Sequence, residues 1–210
     1  MALSDIELRI LGCLLEKEST TPESYPLTTN SLLLACNQKT NREPVTNFEE
    51  GEVKTVLQSL RDKGLVLTRR ADNERVYKHR HKLEQTFDLN TKGFALLAVL
   101  MLRGKQTPGE LRMRTERYVN FNDVAEVEDA LQRLETYQPP LVKNYGRGPG
   151  QSQDRWGHTL GSDEEKQRPR ARVAKETTNE LEALRDEVET LREQLTFVYD
   201  HLGLELDSEN

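Results

Sequence analysis

Three amphipathic helices followed by a β-hairpin are written twice in this sequence, over residues 1–85 and again over 86–162. In the first copy, Ile6, Ile10 and Leu14, with Leu11 and Leu15, form an apolar stripe over Asp5–Glu18, and Ser4 stands where an N-cap is needed. Pro22 and Pro26 restrict the residues before them, which predicts a turn over Thr20–Pro26. Thr28 or Thr29 caps a short second helix carrying Leu32, Leu33 and Cys36. A polar loop, Asn37–Val45, leads to a third helix from about Phe48 to Lys63, with Val53, Val56, Leu57 and Leu60 inward and Gly64 as its stop. Leu65–Arg69 and Arg75–His81 read as strands joined by a turn.

The second copy follows the same order. Asn90 caps a helix through Leu96, Leu97, Leu100 and Met101; Thr107-Pro108 opens a short helix; Asp123–Tyr137 forms a third. Leu141–Tyr145 and Arg155–Leu160 flank a glycine-rich turn. Val53, Leu57 and Leu60 align with Val127, Leu131 and Leu134 at one constant offset, and Thr21-Pro22 aligns with Thr107-Pro108. Helical periodicity alone matches many helices, so the repeated order of elements carries the inference of two copies of one module.

The predicted class is mainly α with small β-hairpins (α+β): tandem winged-helix domains plus a C-terminal coiled-coil helix. A charged linker is expected over 163–177, a heptad helix over 178–204 and a short tail over 205–210. Leu181, Leu184, Val188, Leu191, Leu195, Val198 and Leu202 alternate in spacings of three and four, an a/d seam. Such a stripe needs a partner. It pairs with its copy in a homodimer or folds back on the body; the narrowness of the seam favours self-pairing.

Charge is unevenly spread. Residues 163–210 hold 14 acids and 7 bases, whereas residues 1–162 hold 22 acids and 23 bases, so an acidic tail follows a nearly neutral body. Within the body, Arg61–Lys82 carries eight bases against three acids, a local basic patch. The longest apolar run, Ala95–Leu102, is too short to span a bilayer. No secretory signal is expected at the N-terminus. Cys13 and Cys36 are isolated in apolar helical contexts, which predicts buried thiols in a reducing cytoplasm. A membrane protein, a secreted disulfide scaffold and a zinc ribbon are excluded on these grounds.

The stretches Gly12-Cys13-Leu14-Leu15-Glu16-Lys17-Glu18, Tyr25-Pro26-Leu27 and above all Ala35-Cys36-Asn37-Gln38-Lys39-Thr40-Asn41-Arg42-Glu43-Pro44-Val45 resemble the YceH family of uncharacterised bacterial proteins. So do Leu60–Val66 and Pro149-Gly150-Gln151. The resemblance implies tandem winged-helix domains and supplies no activity.

Enzymatic constellations are thin: no phosphate-binding loop, nucleophile elbow or HExxH is present. His79 and His81 share a strand face, yet no third ligand is near and Lys78, Arg80 and Lys82 repel a cation, so they read as part of a solvated basic strand. No metal and no cofactor is expected, and the two cysteines read as inert core thiols. A non-enzymatic DNA-binding role in transcriptional regulation is the leading expectation. Arg69, Arg70, Arg75, Lys78 and Arg80 in the first wing, Lys143, Arg147 and Arg155 around the second, and Lys39 and Arg42 in the loop are the expected contacts. Acids at the start of both third helices (Glu49, Glu50 and Glu52; Asp123, Glu126, Glu128 and Asp129) oppose groove insertion. They favour the alternative, an adaptor whose modules bind another protein.

Overall fold

The computed structural model describes residues 2–70, 76–148 and 150–161, together with Val188. The chain divides into two units, Met1–Glu165 and Lys166–Asn210. In the first unit, α1 spans Asp5–Thr20, β1 Leu27–Thr28, α2 Thr29–Cys36, α3 Glu50–Asp62, β2 Val66–Arg69 and β3 Lys78–His81. A single turn, α4 (Leu83–Thr86), leads on to α5 (Thr91–Arg103), α6 (Pro108–Thr115), α7 (Val124–Thr136), β4 (Val142–Asn144) and β5 (Trp156–His158). The α+β class stands. Of the heptad positions only Val188 is described, helical and exposed; Leu181, Leu184, Leu191, Leu195, Val198 and Leu202 lie outside the described residues. Among the described residues no helix is long and apolar enough to cross a membrane.

Capping chemistry sets the helix starts. Ser4 and Glu7 form a reciprocal capping box on α1, and Thr107 and Glu110 form one on α6. Thr28, Asn90 and Asp123 each accept a backbone N–H at the start of α2, α5 and α7. The Thr21-Pro22 pair opens a 3-10 turn (Pro22–Ser24), not α2. The counterpart of Thr107 is therefore Thr28, which corrects the sequence alignment. Gly64 ends α3 with φ +72°, a left-handed conformation that costs glycine little.

The structure adds a repeated detail. Leu27 and Thr28, just before α2, pair antiparallel with His79 and Lys78, giving the sheet order β1-β3-β2. Gln106, just before Thr107 and α6, makes the matching bridge to Trp156 through backbone bonds of 2.9 and 2.8 Å. In both halves the segment ahead of the short helix is thus tied to the return strand of the hairpin, by a two-residue strand in one and a single bridge in the other.

No apolar gap separates the two copies. Helix α1 packs most extensively on α5, and one core cluster runs from Leu3 to Leu160. The run Ala95–Leu102 is buried on every side because α5 is the central helix. Gly12 allows the crossing: a Cβ there would lie 2.9 Å from Leu102 Cγ. Leu3 bridges Gly161, so the first residues of the unit are bonded to its last strand segment.

Candidate nucleic-acid interface

Strand alternation sorts the first hairpin into two faces. His79 and His81 point inward and are buried, at 4% exposure each, which corrects their reading as part of a solvated strand. His79 Nε2 and Nδ1 each lie 2.9 Å from a hydroxyl, those of Thr29 and Thr68. His81 Nε2 lies 2.7 Å from Glu18 and Nδ1 3.1 Å from Glu84. Among the described residues no group of three or more His, Cys, Asp or Glu side chains is arranged to hold a metal.

Arg69, Arg70 and Arg80 are exposed and Lys78 is half-buried. The Arg70 guanidinium lies 5.5 Å from the centre of the exposed Tyr77 ring, which stiffens its stem at the surface. Arg80 meets Glu84 at 2.8 Å, with both side chains exposed, a pair weak enough to exchange for a phosphate. Arg75 lies outside the described residues.

In the loop before α3, Lys39 is exposed as expected, but Arg42 is not a surface contact. It is 6% exposed, and its guanidinium spans Glu16 Oε2 at 2.5 Å, Gln38 Oε1 at 2.8 Å and the carbonyls of Ala35 and Asn41. A charge can be buried at this depth only because Glu16 neutralises it. Arg9 is buried beside it and donates to the carbonyls of Cys36 and Pro44. Asn37 completes the clamp by exchanging two 2.9 Å bonds with the Phe48 backbone. The motif run 35–45 is thus a demanding turn held from inside. Cys13 and Cys36 are both fully buried. Contact with Cys13, then burial, pushes the Cys36 thiol well above its ordinary pKa.

The second hairpin is more self-satisfied than its arginines suggest. Arg155 is half-buried and bonds Glu110 at 2.9 Å, the Lys105 carbonyl at 3.0 Å and Gln151 at 3.1 Å, so it braces the hairpin against α6. It is withdrawn from the expected contacts. Arg147 is exposed but pairs with Asp154 at 3.0 Å; hydrogen bonds from Asn144 and Arg147 hold the Asp154 carboxyl below its ordinary pKa. Lys143 is exposed.

The acids of the third helices are largely engaged at the helix starts. Glu49 and Glu52 cap α3, and Glu50 pairs with Lys54 at 2.7 Å. Asp123 caps α7, and Glu126 pairs with Lys92 and accepts from the Asn122 N–H. Glu128 and Asp129 line a groove of about 510 Å³ between α7 and the second hairpin, with Asp154 and Arg147 opposite. That groove carries more acid than base and does not suit a phosphate backbone.

One basic group is not apparent from the sequence pattern. Residues 103–117 hold five bases and two acids, a bias obscured because Gly104 and Pro108 break the run across two helices. Arg103, Arg114 and Arg117 come from this stretch.

A family model described as "Protein of unknown function, DUF480" matches residues 3–151. The chain belongs to the DUF480 family. A UPF0502 protein of Geobacter sulfurreducens is 48% identical over 161 residues, covering 77% of this chain and 73% of its own. A UPF0502 protein of Solibacter usitatus is likewise 48% identical over 161 residues, 77% of either chain. One from Shewanella loihica is 46% identical over 160 residues, 74% of either chain. The expectation of an uncharacterised bacterial family stands at that level.

Proposed function

We propose that the first unit is a tandem winged-helix body and that the protein is a non-enzymatic, cytoplasmic DNA-binding regulator held to duplex DNA by its first wing. The supporting observation is the repeated helix, helix, helix, hairpin order, with the segment ahead of the second helix tied to the hairpin both times, through the strand Leu27–Thr28 and through a single bridge at Gln106. Arg69, Arg70, Lys78 and Arg80 on the first hairpin contact phosphates, which position a protein without reading sequence. The acidic starts of α3 and α7 keep those helices out of the groove.

Fluorescence anisotropy with a labelled duplex, over a salt series, tests this reading. The full chain is expected to bind with sub-micromolar affinity at low salt and to weaken steeply as salt rises. Changing Arg69→Glu with Arg70→Glu should weaken binding roughly tenfold or more and flatten the salt slope by about 2, near 0.9 for each phosphate no longer neutralised. Unchanged affinity in that variant removes the wing from the contact surface.

A second reading has its own observation. Leu34 on α2 and Met113 on α6 occupy equivalent places, each six residues past its capping threonine, and are 63% and 64% exposed. Paired exposed apolar residues suit an adaptor that docks a protein. An absence of DNA binding at low salt would favour this reading.

The heptad segment supplies the dimer in either case. The full chain is expected to sediment as a dimer and a chain ending at Gly161 as a monomer. A truncated dimer would move the interface into the body.

A further inference from the structure

The loop after α2 meets the end of α5 in the first unit, and α6 packs on α5. Asn41, at φ 59°, presents its side-chain oxygen to Arg103 Nη1 at 2.7 Å. The Glu43 N–H donates to the Leu102 carbonyl at 2.9 Å. These bonds pin the first module's loop to the last turn of the second module's central helix. Arg103 ends α5, Arg114 lies in the last turn of α6, and Arg117 follows just beyond that helix. Lys39 stands two residues before Asn41 in the loop. Lys39 and Arg117 are exposed; Arg103 and Arg114 are half-buried.

The acids nearby leave this group under-compensated. Glu110 is committed to Arg155 and to the Thr107 N–H, and approaches Arg114 only to 3.8 Å. Glu16 is committed to Arg42 beneath the loop. Two exposed acids remain, Glu43, whose charge acts on Arg103, and Glu116. Partial burial, then the Arg114 charge, holds Arg103 below its ordinary pKa, so the two guanidinium groups feel each other. An anion bound between two like charges relieves their repulsion.

We propose that Lys39, Arg103, Arg114 and Arg117 form a second phosphate-binding surface, built jointly by the two modules, that takes the phosphodiester backbone of duplex DNA. The proposal rests on the DNA-binding reading above and adds a contact distinct from the wing. Arginine suits this role because its planar fork matches phosphate oxygens in pairs. Arg103 is already oriented by Asn41, so less side-chain freedom is lost on binding. Two separated basic zones also supply the grip that the acidic third helices withhold.

The test uses the full chain and the same labelled duplex, with Lys39→Glu, Arg114→Glu and Arg117→Glu combined. Arg103 stays in place to keep the loop pinned. Affinity at low salt should fall at least tenfold, and the salt slope should flatten by about 0.9 for each phosphate the variant leaves unneutralised. Combining this variant with the wing pair should weaken binding further than either alone. Wild-type affinity and slope in the junction variant, with the wing pair weakened, would overturn this proposal and leave the DNA reading standing. A wild-type chain that does not bind duplex at low salt would overturn both. Circular dichroism checks the fold; should the charge reversals unfold the chain, Arg114→Gln with Arg117→Gln carries the same comparison, and unchanged affinity there is equally decisive. If polyglutamate competes with the duplex as well as an equal charge of unlabelled duplex does, the surface takes acidic polypeptide and the phosphate assignment fails.

Discussion

Replacing Glu16 by leucine is expected to destabilise the chain by about 3–5 kcal/mol, among the largest single-residue effects in the protein. The reason is the charge left behind. Arg42 is 6% exposed, and Glu16 supplies the one carboxylate hydrogen-bonded to it among the described residues. Without it the guanidinium stays buried and unneutralised, or drags the loop outward. Glu16 also accepts from the Tyr118 hydroxyl at 3.3 Å, so the change loosens a contact between α1 and the segment after α6. Denaturant melts followed by circular dichroism give the magnitude. The informative comparison is the double change Glu16→Leu with Arg42→Met. Removing both charges should recover part of the loss, because no isolated charge remains. Recovery should be incomplete, since the Ala35 and Asn41 carbonyls lose the donor that Arg42 gave them. A Glu16→Leu loss under about 1 kcal/mol would mean the pair is not sequestered. On the DNA-binding reading proposed above, the same variant should weaken duplex binding beyond its effect on stability, because Asn41 adjoins Arg42 and bonds Arg103.

The helices are legible in the sequence because their signals are local. Ser4 and Asn90 cap the helices assigned to them, Thr28 does so within the choice left open with Thr29, and Thr107 and Asp123, read as helix starts, are N-caps as well. Of the positions read as inward on α3, Val53, Leu57 and Leu60 are buried and Val56 is half-buried, and the aligned Val127, Leu131 and Leu134 on α7 are buried. What the sequence hides is non-local. A two-residue strand such as Leu27–Thr28, or the single bridge at Gln106, is too short to alternate visibly and exists only because the return strand lies beside it. The single turn α4 has no room for a period.

The same distinction governs the candidate site. An arginine in a polar loop reads as solvated by default, since burying it requires a carboxylate that sequence proximity does not reveal. The partner of Arg42 is 26 residues away, and that of Arg155 is 45. His79 and His81 share one strand face, as alternation requires, but which face turns inward depends on β1 and α1. The Arg103, Arg114 and Arg117 group is obscured in the sequence by Gly104 and Pro108, and the place of Asn41 beside Arg103 depends on a loop that also holds the buried Arg42. Interior electrostatics, invisible locally, therefore decides which cations reach the surface.

His79 makes the stability of the first unit pH-dependent in a window that opens above the carboxylate range and ends within it. Burial, then the Arg61 charge, pushes its pKa down from 6.5 to about 4. Both ring nitrogens face hydroxyls that can donate or accept, so hydrogen bonding alone does not forbid the imidazolium; placing a charge in the interior does. The folded state thus binds a proton less readily than the unfolded chain between these values. This contribution is fully present above pH 6.5 and is lost as the pH falls through that window toward 4. The shift amounts to about 3 kcal/mol. Stability from denaturant melts at successive pH values should decline accordingly, with most of the decline already present before carboxylates with lowered values, such as Glu7 and Glu110, begin to protonate. His79→Gln keeps a side chain able to meet the Thr29 or Thr68 hydroxyl and removes the titration. Its stability should be lower than wild type near neutral pH if packing suffers, but nearly flat between about pH 6.5 and 4.5 in this component. The wild-type minus variant difference isolates His79 from the other histidines and the acids, and a difference that does not change with pH would show that the imidazole is freely protonated in the fold.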